Sequence, residues 1–150
     1  MSYRTAFEIT QRFIGARQAR AVAVNPDVIE MLMLNPPAPD DDADSWGSAL
    51  VNLVAWLTWL PRPRTLDARA WLDYGTPIDI RHASKGFDLV VTSRCATPPA
   101  DDAPLGRDGC VGWFAGIDGE HVIVLGANEH GTVSLTRFPA SQVLGVRRLS

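Results

Sequence analysis

Two cysteines, three histidines and a run of three aspartates are the side chains of this sequence that could attack a bond or hold a metal. Cys95 and Cys110 permit one disulfide or two free thiols, and a single pair does not define a disulfide scaffold. As a thiolate Cys110 would be a nucleophile; as a thiol it is a small hydrophobe of the kind that cores bury. His82, His121 and His130 lack the close spacing of metal ligands, so neither a metal nor another cofactor is expected. Asp40, Asp41 and Asp42 lack the spaced acids, glycine and terminal glutamate of an EF-hand loop, and read as a solvated loop.

The elements that must position these groups follow from pattern. A chain of 150 residues with 46% hydrophobic content can bury one core, and a single domain over residues 1–150 is expected. Ala6, Phe7, Ile9, Phe13 and Ile14 approximate a helical stripe. Asn25-Pro26-Asp27 starts a second helix, with an asparagine cap and proline at its first position. The Pro/Asp-rich stretch Asn35 to Asp44 is a loop. Asp44 or Ser45 then caps a helix running through WGSALVNLVAWLTWL to Pro61, apolar nearly all round and so expected at the centre. On it Trp56 and Trp59, three apart, read as core. A short amphipathic helix follows around Leu66 to Asp73 and ends at Gly75 and Pro77.

From Phe87 the pattern changes to five β-rich runs, FDLVVTS, CVGWFAG, HVIVLGA, TVSLTRF and QVLGVRR, separated by turn residues. Helices followed by strands imply an α+β domain, with a central buried helix packed on an antiparallel sheet of about five strands in a meander. The net charge of -3 and the scattered basic residues exclude a nucleic-acid footprint. The most apolar run, Ala49 to Leu60, is twelve residues against the roughly 20 of a membrane-spanning helix, so no membrane span is expected. The first residues carry Arg4, Glu8, Arg12 and Arg17 and no secretory apolar stretch, which predicts synthesis in the cytoplasm or a mature form with its signal removed.

Six stretches, in order from Trp46 to the end of the chain, resemble the NlpC/CHAP superfamily of papain-like amidases and peptidases that cleave bacterial peptidoglycan. Trp46-Gly47-Ser48-Ala49-Leu50-Val51-Asn52 is similar to the W-C-S-A-F-V-N start of the catalytic helix in a phage-associated and bacterial branch. Ala68 to Leu72 with Tyr74-Gly75 resembles A-R-S-W-L-x-W-G, and Gly86-Phe87-Asp88-Leu89-Val90-Val91 resembles G-D-I-V-V with one residue inserted. Gly109 to Phe114 is similar to G-H-V-G-F-Y, Val124 to Glu129 to V-L-G-G-N-Q, and Val143 to Arg147 to V-L-G-Y-R. The resemblance implies a papain-like NlpC/CHAP fold.

It also implies a triad that this chain has lost. The family's nucleophilic cysteine sits at the amino end of the central helix, where the helix dipole and backbone N–H groups favour a thiolate. Here that position is Gly47. The general-base histidine opens the second strand, and here Cys110 stands in its place. Only the third, orienting position keeps a suitable group, Asn128. Losing both nucleophile and base from such a unit costs on the order of 10⁶ in turnover, and Ser48 points about 100° around the helix from Gly47.

The implied cleft comprises Trp46, Gly47, Ser48, Cys110, Asn128 and His130, with Trp46 beside the vacated position. Its expected use is to bind a peptidoglycan stem peptide or a protein partner without cleaving it. Two alternatives stand beside that reading. One is a structural or adaptor part of a phage tail or a secretion or injection apparatus, delivered to the cell envelope or built into a virion. The other is a residual cysteine hydrolase using Cys110 with His130.

Overall fold

The computed structural model describes residues 4–14, 45–63, 68–93, 109–127 and 133–149. Within them the chain is an α+β arrangement of few helices and a six-stranded antiparallel sheet. Helix α1, Ala6–Gln11, starts at a reciprocal cap. Thr5 Oγ1 accepts the Glu8 N–H at 3.2 Å, while the Thr5 N–H donates to Glu8 Oε2 at 2.7 Å. This fixes the entry of a six-residue helix too short to persist alone. Its buried Ala6 and Phe7 join the main core, and the Phe7 N–H donates to the Gly86 carbonyl at 3.0 Å. The second helix expected from Asn25 falls outside the described residues.

Helix α2, Ser45–Leu57, is the central element. Ala49, Leu50, Val51, Val54 and Ala55 are buried against the sheet. Its end differs from expectation. Helical hydrogen bonding stops before Pro61 in a Schellman turn, where the Leu60 N–H donates to the Ala55 carbonyl at 2.8 Å and the Trp59 N–H to the Trp56 carbonyl at 3.2 Å. The left-handed position of that turn is filled by Trp59, at φ 59°, where glycine is usual. A side chain there costs about 1–2 kcal/mol of backbone strain. Trp59 is 95% exposed and Trp56 53%, so both expected core tryptophans lie on the surface. A helix apolar on every side has one face too many for one sheet to cover, so Trp56 and Leu57 stay exposed in the same turn that buries Val54 and Ala55.

The strands are β1 (Thr76–Ile78), β2 (Asp88–Thr92), β3 (Cys110–Asp118), β4 (His121–Ala127), β5 (Val133–Pro139) and β6 (Val143–Arg148), in the order β1-β6-β2-β3-β4-β5. β2 to β5 form the expected meander. β6 then returns to pair with both β1 and β2. The sixth strand, β1, has the sequence Thr76-Pro77-Ile78, without alternation and with a proline inside. Proline is tolerated there because β1 is an edge strand paired only with β6. Between α2 and β1 the chain makes a 3-10 helix, Ala68–Asp73, that buries Trp71 completely. It corresponds to the short helix expected around Leu66 to Asp73. Gly75, at φ 73°, closes this segment against β6, where a Cβ would stand 2.6 Å from the Arg148 carbonyl oxygen.

Alternation along the strands divides the core in two. Leu89 and Val91 of β2, Val111 and Trp113 of β3 and Leu125 of β4 face α1, α2 and Trp71. Val90, Phe114, Val122, Val124, Phe138 and Val146 face the opposite side, where Ile78, Ile80 and Ala83 pack on them.

At the start of β2 a carboxylate is buried on that opposite side. Asp88 is 1% exposed, and accepts from Arg148 Nε at 2.7 Å, Arg148 Nη2 at 2.8 Å and the Ser84 N–H at 2.8 Å. Hydrogen bonding to Asp88, and then its charge, hold the Arg148 guanidinium above its ordinary pKa. The pair ties β2 to β6 at the register Asp88↔Arg148.

Candidate functional site

The first turn of α2 carries Ser45, Trp46, Gly47 and Ser48. The surroundings of Trp46 and Gly47 lie outside the described residues; those of Ser48 do not. Ser48 is 1% exposed, and its Oγ accepts the Trp71 indole N–H at 3.4 Å. One turn on, buried Asn52 donates through Nδ2 to the Ser48 carbonyl at 2.9 Å and accepts from Arg62 Nη1 at 3.5 Å. Ser48 therefore contributes to the contact between α2 and the 3-10 helix. A hydroxyl in that position accepts a hydrogen bond from the Trp71 indole inside the core.

Cys110 opens β3 opposite Thr92 of β2, whose Oγ1 donates to the Cys110 carbonyl at 3.4 Å. The family resemblance places this residue toward the amino end of the central helix. In the structure its side chain packs with the Val90, Phe114 and Val124 cluster, on the face of the sheet away from α2. The reason is strand periodicity: Val111 and Trp113 turn to the helix, so Cys110 and Phe114 turn from it. Ser48 and Cys110 are not brought together. The cavity beside Cys110, lined by Thr92, Gly112, Val124, Gly126 and Phe138 among others, holds about 10 Å³, room for one water at most.

Cys110 is also disulfide-bonded, and the described residues include no free thiol. Cys95, the other cysteine of the sequence, lies outside the described residues, as do Asn128 and His130 of the expected cleft. A disulfide sulfur has no thiolate to offer as nucleophile. Among the described residues no group of three or more His, Cys, Asp or Glu side chains could hold a metal ion, and no helix is long and apolar enough to cross a membrane.

Two features escaped the sequence reading. The Asp88–Arg148 pair joins residues 60 positions apart, a separation at which only strand register reveals a partner. The exposed tryptophans at the end of α2 line a groove of about 630 Å³ with Leu57, Leu60, Pro61, Arg62 and Tyr74. The all-round apolar helix was its one sequence signal.

Fold and site together define an α+β arrangement in which a buried helix packs on one face of an antiparallel sheet. No protein-family model matches the chain, and neither a curated protein nor a solved structure matches it significantly.

Proposed function

We propose that this chain is a catalytically inactive domain of papain-like NlpC/CHAP form that binds a peptidoglycan stem peptide or a protein segment without cleaving it. The observation that carries the reading is the composition of the first turn of α2. That turn holds Gly47 at the position where the resemblant family has its nucleophile, and the neighbouring hydroxyl, Ser48, is buried against Trp71. A helix amino terminus laid over an antiparallel sheet keeps backbone N–H groups available to a ligand carboxylate or carbonyl after the nucleophile is gone. Binding needs such donors and shape, and it does not need a triad. The disulfide at Cys110, and the turn of that side chain away from α2, weigh against a hydrolase that has moved its nucleophile there.

The experiment is co-sedimentation of the purified protein with insoluble peptidoglycan sacculi, run beside a dye-release assay on the same material. Retention on sacculi with no release of dye is the expected result. Dye release abolished by Cys110→Ala would replace this reading with the residual hydrolase. Absence of both retention and release would leave the adaptor role, tested by co-purification with tail or secretion components.

A further inference from the structure

We infer that β5, an edge strand of the sheet, pairs antiparallel with the β5 of a second copy of this chain, Leu135 of each copy lying opposite Arg137 of the other. The inference does not rest on the binding reading above, and its test is separate.

The two edges of the sheet differ. β1 is three residues long with Pro77 inside it, and shortness and proline both protect a sheet edge from further pairing. β5 has neither protection. It runs for seven residues with no lysine and with proline only at its end. Its one charged side chain, Arg137, is ion-paired with Asp118 at 2.7 Å, so its charge is compensated within the chain. Leu135, near the middle of the strand, is 57% exposed.

The hairpin fixes which backbone groups face out. The Ala140 N–H donates to the Glu120 carbonyl at 2.8 Å. In an antiparallel pair the direction of hydrogen bonding repeats every second residue. Phe138, Thr136 and Ser134 therefore turn their N–H and C=O groups to β4, opposite Val122, Val124 and Gly126. Leu135 and Arg137 turn theirs outward, where no strand of the described residues lies. Two donors and two acceptors thus stand in line on an exposed edge, a pattern that an extended chain completes.

A second copy supplies that chain. A two-fold axis through Thr136 sets Leu135 opposite Arg137 of the copy, and Arg137 opposite its Leu135. Each such pair exchanges two N–H···O=C bonds, so the four outward groups of one strand are satisfied by the four of the other. The side chains agree with this register. Leu135 meets the aliphatic stem of the facing arginine, the two arginines stand diagonally apart, and Thr136 meets Thr136, a favourable cross-strand pair. An axis through Leu135 would instead set Arg137 against Val133, which is fully buried. The overlap is short and buries less than the roughly 800 Å² per partner of a standard interface, which makes the dimer reversible.

Sedimentation velocity of the full chain, from about 5 to 500 µM, is expected to show a monomer–dimer equilibrium. Leu135→Pro removes an outward N–H that bonds nothing within the described chain, and Leu135→Lys sets a second cation against Arg137 of the copy. Each should weaken dimerisation at least tenfold, and Leu135→Lys decides the matter if the proline variant fails to fold. Leu144→Lys, at an exposed leucine of β6 away from the edge, should leave dimerisation unchanged. Thr136→Cys brings two thiols together across the axis with α-carbons about 4.5 Å apart, within reach of a disulfide. Diamide should cross-link it at least tenfold faster than Gly116→Cys, whose Cβ meets nothing within 4 Å. A monomer throughout the concentration range would overturn the proposal, as would a dimer indifferent to Leu135→Lys or equal cross-linking of the two cysteine variants. A monomeric parent whose binding to sacculi is lost in Leu135→Lys would give the edge to a stem peptide instead.

Discussion

Replacing Asp88 by asparagine tests whether the carboxylate under β2 holds the sheet together. Asp88 is almost wholly buried and accepts three hydrogen bonds, two from Arg148 and one from the Ser84 backbone. Asparagine keeps the shape, removes the charge and turns one acceptor oxygen into an N–H₂ group. That group must face either Arg148 Nε or the pair formed by Arg148 Nη2 and the Ser84 N–H, so at least one donor meets a donor. Breaking a buried ion pair from one side costs 3–5 kcal/mol. Arg148 keeps 38% of its side chain in solvent and recovers hydration when the partner is lost, which puts Asp88→Asn at the lower end, about 3 kcal/mol. In a domain of this length each kcal/mol moves the melting temperature by 2–4 °C, so a fall of about 6–12 °C is expected. Thermal melts and urea titrations monitored by far-UV circular dichroism measure it, with an unchanged m-value as the sign that only stability moved. Adding Arg148→Gln to Asp88→Asn should cost less than the sum of the two single changes. A loss below about 1 kcal/mol, or strict additivity in the double variant, would refute the assignment of this pair as the clamp between β2 and β6.

Four further outcomes are expected. Gly112→Ala places a Cβ 2.5 Å from Val124 Cγ1 and 2.8 Å from the Leu125 carbonyl oxygen, and should destabilise by about 1–3 kcal/mol. Gly116→Ala, with nothing within 4 Å of its Cβ, serves as the control in the same urea titrations, within about 0.5 kcal/mol of wild type. Thiol titration of denatured, unreduced protein should find no free thiol, and two would contradict the disulfide at Cys110. Cys110→Ser should lower stability by about 2–4 kcal/mol under oxidising conditions, and the gap between variant and parent should close when both are melted in reductant.

Much of the architecture could be read from local pattern, because helices and strands announce themselves by period. The runs from Phe87, Cys110, His121, Thr132 and Gln142 each became a strand within a residue or two, and Ser45 did begin the central helix. Errors arose where tertiary context overrides local preference. Pro61 marked a stop, yet α2 ended earlier because Trp59 takes a conformation normally reserved for glycine, which composition conceals. Thr76-Pro77-Ile78 reads as a break, and becomes a strand only because β6 comes back to pair with it. The facing of Cys110 was legible in principle, since the apolar pair Val111 and Trp113 identifies the inner face of β3; the family resemblance drew it to the wrong side. Cys95, Asn128, His130 and the Asn25 helix lie outside the described residues.

The place of β6 between β1 and β2 also dictates when this protein can fold. Its partners precede it by 51 to 72 positions, from Thr92↔Val143 to Thr76↔Arg148. During synthesis, at 5–20 residues per second, β2 to β5 leave the ribosome as a meander whose β2 edge is open. Until Val143–Arg148 follow, that edge exposes the backbone of Asp88–Thr92 to any extended chain nearby, and Asp88 has no counter-ion. Closure by such distant contacts is intrinsically slow. A lesion that removes Val143–Arg148 would leave that edge open as a template for edge-to-edge pairing.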